Sequence, residues 1–297
     1  MSEYEPRFAK APLWALIWRM LLSSLGIVII GVFLSLAFRG EHFTLISLIT
    51  DSLIYFALYK ITISQMEKHN LAVKGLSAPY FKMGADLTRV LLVTLLTAVT
   101  AYSFFYFLLT VLAFLPGLFD RLVPYILDIT FAEDISLGYL FVIAVLIAPV
   151  VEEIFFRGYL LNKWADMYGV RKGIVFSSVA FMAIHVRSLF LPQLLVGLLC
   201  SLVYVKFSHL IYPILLHMLY NLLVLLASVW FSYGNPADLE ETVLALRGSW
   251  SLEYLIPSII FVLAFSALTI LFTVYFQSLT FKGSPYSQNV QLLDQDA

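Results

Sequence analysis

Apolar positions along this chain gather into runs of about twenty residues or more, broken by short polar stretches. That run length is what a helix needs to cross roughly 30 Å of hydrocarbon. Eight such runs, at about 13–38, 43–64, 88–115, 138–164, 172–190, 193–207, 211–232 and 254–277, predict an all-α polytopic transmembrane bundle of about eight spans. The sixth run is short. Pro192 and Pro213 fall at the starts of the sixth and seventh, where proline costs little because first-turn N–H groups have no helical partner. Longer polar connections are expected at about 65–87, 116–137 and 233–253, with a soluble tail from near Lys282. There is no internal repeat, so residues 1–297 read as a single membrane domain. The stretch from Leu13 to about Phe38 outruns a signal-peptide core of about 7–15 residues and no small-residue cleavage site follows it. It is expected to stay as the first span.

Composition strengthens the membrane reading: 61% of the 297 residues are apolar and 12% charged, more apolar surface than a soluble domain hides. Net charge is −1 with no basic block, so nothing in the sequence marks a nucleic-acid partner. Cys200, the only cysteine, lies in an apolar run; it excludes an internal disulfide and reads as helix packing. On alternate sides of the eight-span arrangement, twelve Lys and Arg residues face four, with Arg19 and Arg157 inside spans. The positive-inside bias then puts both termini in the cytoplasm, and the absence of an organelle address suggests a plasma (inner) membrane. Arg19, about a turn and a half inside its helix, is expected to snorkel to the interface.

Charges inside a span cost about 2.5–3.5 kcal/mol each at mid-helix, so those in the fourth run call for a reason. Glu152, Glu153 and Arg157 occur within six positions. Glu153 and Arg157 are i and i+4, the favourable acid-before-base order for an ion pair, whereas Glu152 points about 100° away into separate space. The fifth run carries Phe181 and His185, the seventh His217 and Asn221, each pair again spaced i, i+4. The helix directions allow Glu152, His185, His217 and Asn221 to converge on one cavity. A carboxylate and two imidazoles reached by water are the ingredients of general acid–base chemistry. A lone intramembrane histidine more often bridges helices than catalyses, and a lone Glu–Arg pair is usually structural. Five such residues on three helices favour a functional polar site. Asp51, in the second run, reads as a polar contact, and Phe104, Phe105 and Tyr106 as packing.

The ordered set Glu-Glu-x-x-x-Arg at 152–157, Phe-x-x-x-His at 181–185 and His-x-x-x-Asn at 217–221 resembles the CAAX protease and bacteriocin-processing family, also called Abi, of intramembrane endopeptidases. The resemblance covers about 138–232, which it makes the catalytic core. It implies a glutamate-dependent peptidase: Glu152 activates water with help from His185, His217 and Asn221 donate to the developing oxyanion, and Glu153 with Arg157 holds the first motif in place. It also implies a peptide or membrane-protein substrate, possibly prenylated, and no cofactor. Zinc is the mechanistic alternative, because Glu and His are competent ligands; no His-Glu-x-x-His helix occurs in the chain. A proton-linked transporter would use the same residue types but lacks paired, interrupted half-helices. A non-proteolytic scaffold or immunity protein keeping the motif for structure is the remaining alternative. No sequence feature fixes the oligomeric state.

Overall fold

A computed structural model of the chain describes residues 7–79, 85–131, 136–185, 188–231, 243, 244, 246, 248, 251–279 and 283–295. Those residues are overwhelmingly helical, as long apolar runs require where lipid offers the backbone no hydrogen-bond partner. The helices are α1 (Leu13–Ala37), α2 (Phe43–Lys68), α3 (Ala85–Ala113), α4 (Pro116–Phe131), α5 (Leu137–Tyr168), α6 (Val170–Ile184), α7 (Phe190–Phe207), α8 (Ile211–Phe231), α9 (Leu252–Ser278) and α10 (Pro285–Gln295). Among the described residues seven are long and apolar enough to cross a membrane: α1, α2, α3, α5, α7, α8 and α9.

Several expectations need correction. The fifth run forms α6, but its 15 residues stop at Ile184 rather than near 190, giving a rise of roughly 22 Å. The helix stops where His185 leaves helical geometry (φ −91°, ψ 49°). The connection at 116–137 is not simply polar: it contains α4, which buries Phe119, Val123 and Ile126 with Phe105, Leu109 and Tyr254 in a small core of its own. The soluble tail is likewise an ordered element, since α10 buries Tyr286, Asn289 and Val290. Arg19 gains partners on the way to the start of α1: its guanidinium donates to Gln65 Oε1 at 3.2 Å and Ile61 O at 3.1 Å in the last turns of α2, tying α1 to α2.

The main core lies among α5, α6, α7 and α8, with Phe156, Leu161, Ile174, Phe181, Val196 and Tyr204 almost fully buried. The opposite outer face of α1 leaves Trp14, Trp18, Leu22 and Phe33 more than half exposed, the surface a lipid-facing helix presents. Hydroxyls along α3 find partners on their own helix. Thr94, Thr97, Thr100 and Ser103 in α3 each donate to the carbonyl four residues earlier at 2.6–2.8 Å.

Two glycines set how closely the core helices approach. Gly169, between α5 and α6, has φ 88° and ψ 153°, a region open essentially to glycine alone. A Cβ on Gly173 would lie 2.9 Å from both Ala165 N and Leu161 O, so the start of α6 rests directly on the α5 backbone.

Candidate active site

Glu152 and Glu153 occupy a short α-helical stretch of α5, Ala148–Glu153, between two π-helical stretches, Phe141–Ile147 and Ile154–Leu161. The wider i→i+5 turn is uncommon and frees backbone groups from the usual ladder; it recurs at functional sites. Here Ala144 O, in the first π stretch, accepts a 2.7 Å hydrogen bond from Asn221 Nδ2 of α8.

Glu153 is fully buried and sits at the centre of an ionic cluster. Its Oε1 accepts from Arg157 Nη1 at 2.7 Å, one helical turn along, and from His217 Nδ1 at 2.9 Å on α8. Arg157, also fully buried, sends Nη2 to Gly197 O at 2.8 Å, and its guanidinium carbon lies 4.9 Å from the Phe181 ring centroid. One carboxylate thus fastens α5 to α8, while its arginine fastens α5 to α7 and rests on an aromatic of α6. Because a carboxylate oxygen only accepts, His217 Nδ1 carries the proton and Nε2 is left for other chemistry.

Glu152 points elsewhere. Its Oε1 accepts from the Tyr55 hydroxyl of α2 at 3.2 Å, and its Oε2 lies 4.0 Å from His185 Nε2. Nδ1 of His185 donates to Phe181 O at 2.7 Å, which fixes the tautomer: in the neutral ring Nε2 is the unprotonated nitrogen, and it faces Glu152. Four ångströms is too long for a direct hydrogen bond but short enough for one water to touch both atoms. Side-chain exposure is 25% for His185 and 12% for Glu152, against none for Glu153, so the first pair is open to its surroundings and the second carboxylate is closed off.

Glu152 opens onto a cavity of about 400 Å³ between α2 and α5. Its other polar lining comes from Asp51, Tyr55 and Tyr139, and its walls include Met20, Ile54, Leu58, Ile143, Phe155 and Ile184. The Tyr139 hydroxyl donates to Asp51 Oδ2. The six expected site residues are therefore divided. Glu152 and His185 face each other; Glu153, Arg157 and His217 form one hydrogen-bonded group; Asn221 holds the α5 backbone. Of the four expected to surround one cavity, only Glu152 lines this one, because His217 is turned to Glu153 and Asn221 to Ala144. Sequence reasoning missed Tyr55 altogether. The available signal was Asp51, an intramembrane carboxylate one turn earlier on the same face of α2.

Among the described residues one group has the makings of a metal site: Glu153, Cys200 and His217, all buried, with donor atoms within 4.8 Å of one another. The chemistry of that set is already engaged. Glu153 Oε1 is shared by a guanidinium and an imidazole N–H, and the Cys200 thiol lies 3.8 Å from Pro213 O as a donor. A divalent cation bound through Glu153 Oε1 or His217 Nδ1 would have to break these hydrogen bonds and sit beside Arg157, whereas Glu153 Oε2 has no hydrogen-bond partner.

Long apolar helices that bring two carboxylates and two imidazoles together define a multi-pass membrane protein with a buried polar cluster. Within it, residues 134–223 match the family model described as Rce1-like, type II CAAX prenyl endopeptidase Rce1-like. That segment holds all three motifs, so the resemblance drawn from them holds, and the class it supports is a CAAX-type intramembrane protease. No curated protein and no solved structure matches the chain.

Proposed function

We propose that the protein hydrolyses a peptide bond within the membrane by glutamate-activated water. Glu152 and His185 hold the water between Oε2 and Nε2, Glu152 takes its proton as it attacks, and the proton passes to the leaving amine. The observation that carries this reading is the 4.0 Å gap between those two atoms, with Glu152 lining the α2–α5 cavity. For His217 to donate to the oxyanion through Nε2 it must hold both protons, with Glu153 then balancing two cationic groups. Asn221 uses one N–H on Ala144 O and retains the second for the same task. The substrate class is a peptide or membrane-protein segment that reaches the α2–α5 cavity. Its apolar walls suit an aliphatic or prenylated C-terminal sequence.

The test is turnover by the purified protein in proteoliposomes, using a fluorogenic CAAX-type peptide with and without a farnesyl group. Glu152→Gln is expected to lower kcat by about 10²–10⁴-fold or more, the range for loss of a general base. Metal removal, checked by elemental analysis, is expected to leave the wild-type rate unchanged. Cleavage that survives in Glu152→Gln removes Glu152 from the chemistry. The zinc reading rests on Glu153, Cys200 and His217; one zinc per chain, with activity following its occupancy, would establish it instead.

A further inference from the structure

We propose that Tyr55 is a positioning residue for Glu152, fixing the tilt of its carboxylate so that one oxygen is aimed at His185; this rests on the reading of Glu152 as the base. The terminal torsion of a glutamate is broad, so an unanchored carboxylate presents its oxygens to a water at any tilt. Glu152 is anchored. The phenol holds Oε1 at 3.2 Å and leaves Oε2 as the oxygen nearest His185, while the Phe181 carbonyl holds the imidazole by its far nitrogen. Each partner of the water is therefore fixed from behind by one hydrogen bond, the imidazole from α6 and the carboxylate from α2.

The anchoring is part of a crossed arrangement. Tyr55 of α2 donates to Glu152 of α5, and Tyr139 of α5 donates to Asp51 of α2, one turn from Tyr55. All four residues line the same cavity. Two phenol–carboxylate hydrogen bonds running in opposite directions hold α2 against α5 along this cavity. Helix α2 lies outside the segment 134–223 that matches the family, so the site draws a necessary part from a helix without a recognisable motif.

Tyr55→Phe removes one oxygen and nothing else. It is expected to lower kcat about tenfold to a hundredfold with KM within about twofold, the signature of a misplaced group and not of a lost substrate contact. Tyr139→Phe removes the reciprocal hydrogen bond across the same two helices and is expected to lose at least fivefold less. The infrared carboxylate band assigned to Glu152, as the one missing from Glu152→Gln, is expected to move in Tyr55→Phe and to stay in Tyr139→Phe. Equal losses in the two phenylalanine variants, or an unmoved band, would reduce Tyr55 to packing between helices. A Tyr55→Phe enzyme with wild-type kcat, beside an inactive Glu152→Gln, overturns the role of Tyr55 and leaves Glu152 as base. Activity in Glu152→Gln overturns the underlying reading whatever Tyr55 does.

Discussion

Arg157 illustrates what one buried residue has to do in this site. It is fully buried in a medium where a bare charge is expensive, and three neighbours offset that cost: Glu153, the Gly197 carbonyl and the face of Phe181. Arg157→Ala leaves the Glu153 carboxylate with His217 alone and is expected to destabilise the fold by about 3–5 kcal/mol, as breaking a buried pair does. Cys200, the sole cysteine and fully buried, provides the measurement. Its reaction with a thiol reagent should begin at lower denaturant in Arg157→Ala, and the double variant Arg157→Met with Glu153→Gln should recover part of the loss. An unchanged midpoint in Arg157→Ala would mean that Glu153 is not held as an ion. The i, i+4 spacing made this pair legible from sequence, because both partners lie on one turn. Tyr55 was hard to read because its partner lies 97 positions away, and the hint that exists, Asp51 one turn earlier on the same face, does not name that partner.

At the scale of elements, run length predicted the long spans well because crossing hydrocarbon is a demand on length and polarity alone. It failed at α6. The apolar pattern continues past His185 through Leu189, Phe190 and Leu191, but the His185 ring captures Phe181 O and the helix ends. Those later residues instead begin α7 at Phe190. The tail at 285–295 was read as soluble for its polar composition, which conceals Tyr286 and Val290 on one face. The α5–α6 corner depends on two glycines that sequence reading passed over. Gly173→Ala puts a methyl group against the backbone of Leu161 and Ala165, which no side-chain rotation relieves, and is expected to cost about 1–3 kcal/mol. Moving α6 also moves Phe181 and His185, so activity should fall further than stability. The check is Gly173→Ala beside Gly26→Ala in α1, where a Cβ meets nothing within 4 Å and no comparable loss is expected. Equal effects would show that the corner tolerates separation.

On the scale of the whole molecule, one end of the bundle gathers both ends of the described chain. Lys163 Nζ, near the end of α5, donates to Phe8 O, Ala9 O and Ala11 O at 3.3, 3.1 and 2.6 Å. From the other terminus, Tyr286 N donates to Asn162 Oδ1 at 3.0 Å and Asn289 Nδ2 reaches Gly75 O and Ser208 O. The Phe8 and Tyr286 rings themselves meet edge to face, 4.9 Å between centroids. Arg171, at the start of α6, reaches Gln277 O and Leu279 O at the end of α9. Termini on the same side require an even number of crossings, whereas among the described residues seven helices are long spans. We propose that the short helix α6 is the eighth traverse, entering beside Arg171 and ending near His185. We propose that the shared end is cytoplasmic, since Arg7, Lys10, Lys68, Lys74, Lys172 and Lys206 cluster in the segments that form it. Buried Cys200 is protected from reagent in the folded protein, so new surface cysteines report alone. Lys10→Cys, Lys74→Cys, Lys172→Cys and Asp294→Cys are expected to react only after the membrane is permeabilised, and Glu41→Cys and Gly117→Cys in intact cells. The fully inverted pattern would keep the eight crossings but reverse the orientation. Lys10 and Asp294 labelling from opposite sides would remove α6 as a crossing and separate the terminal segments that Phe8 and Tyr286 join.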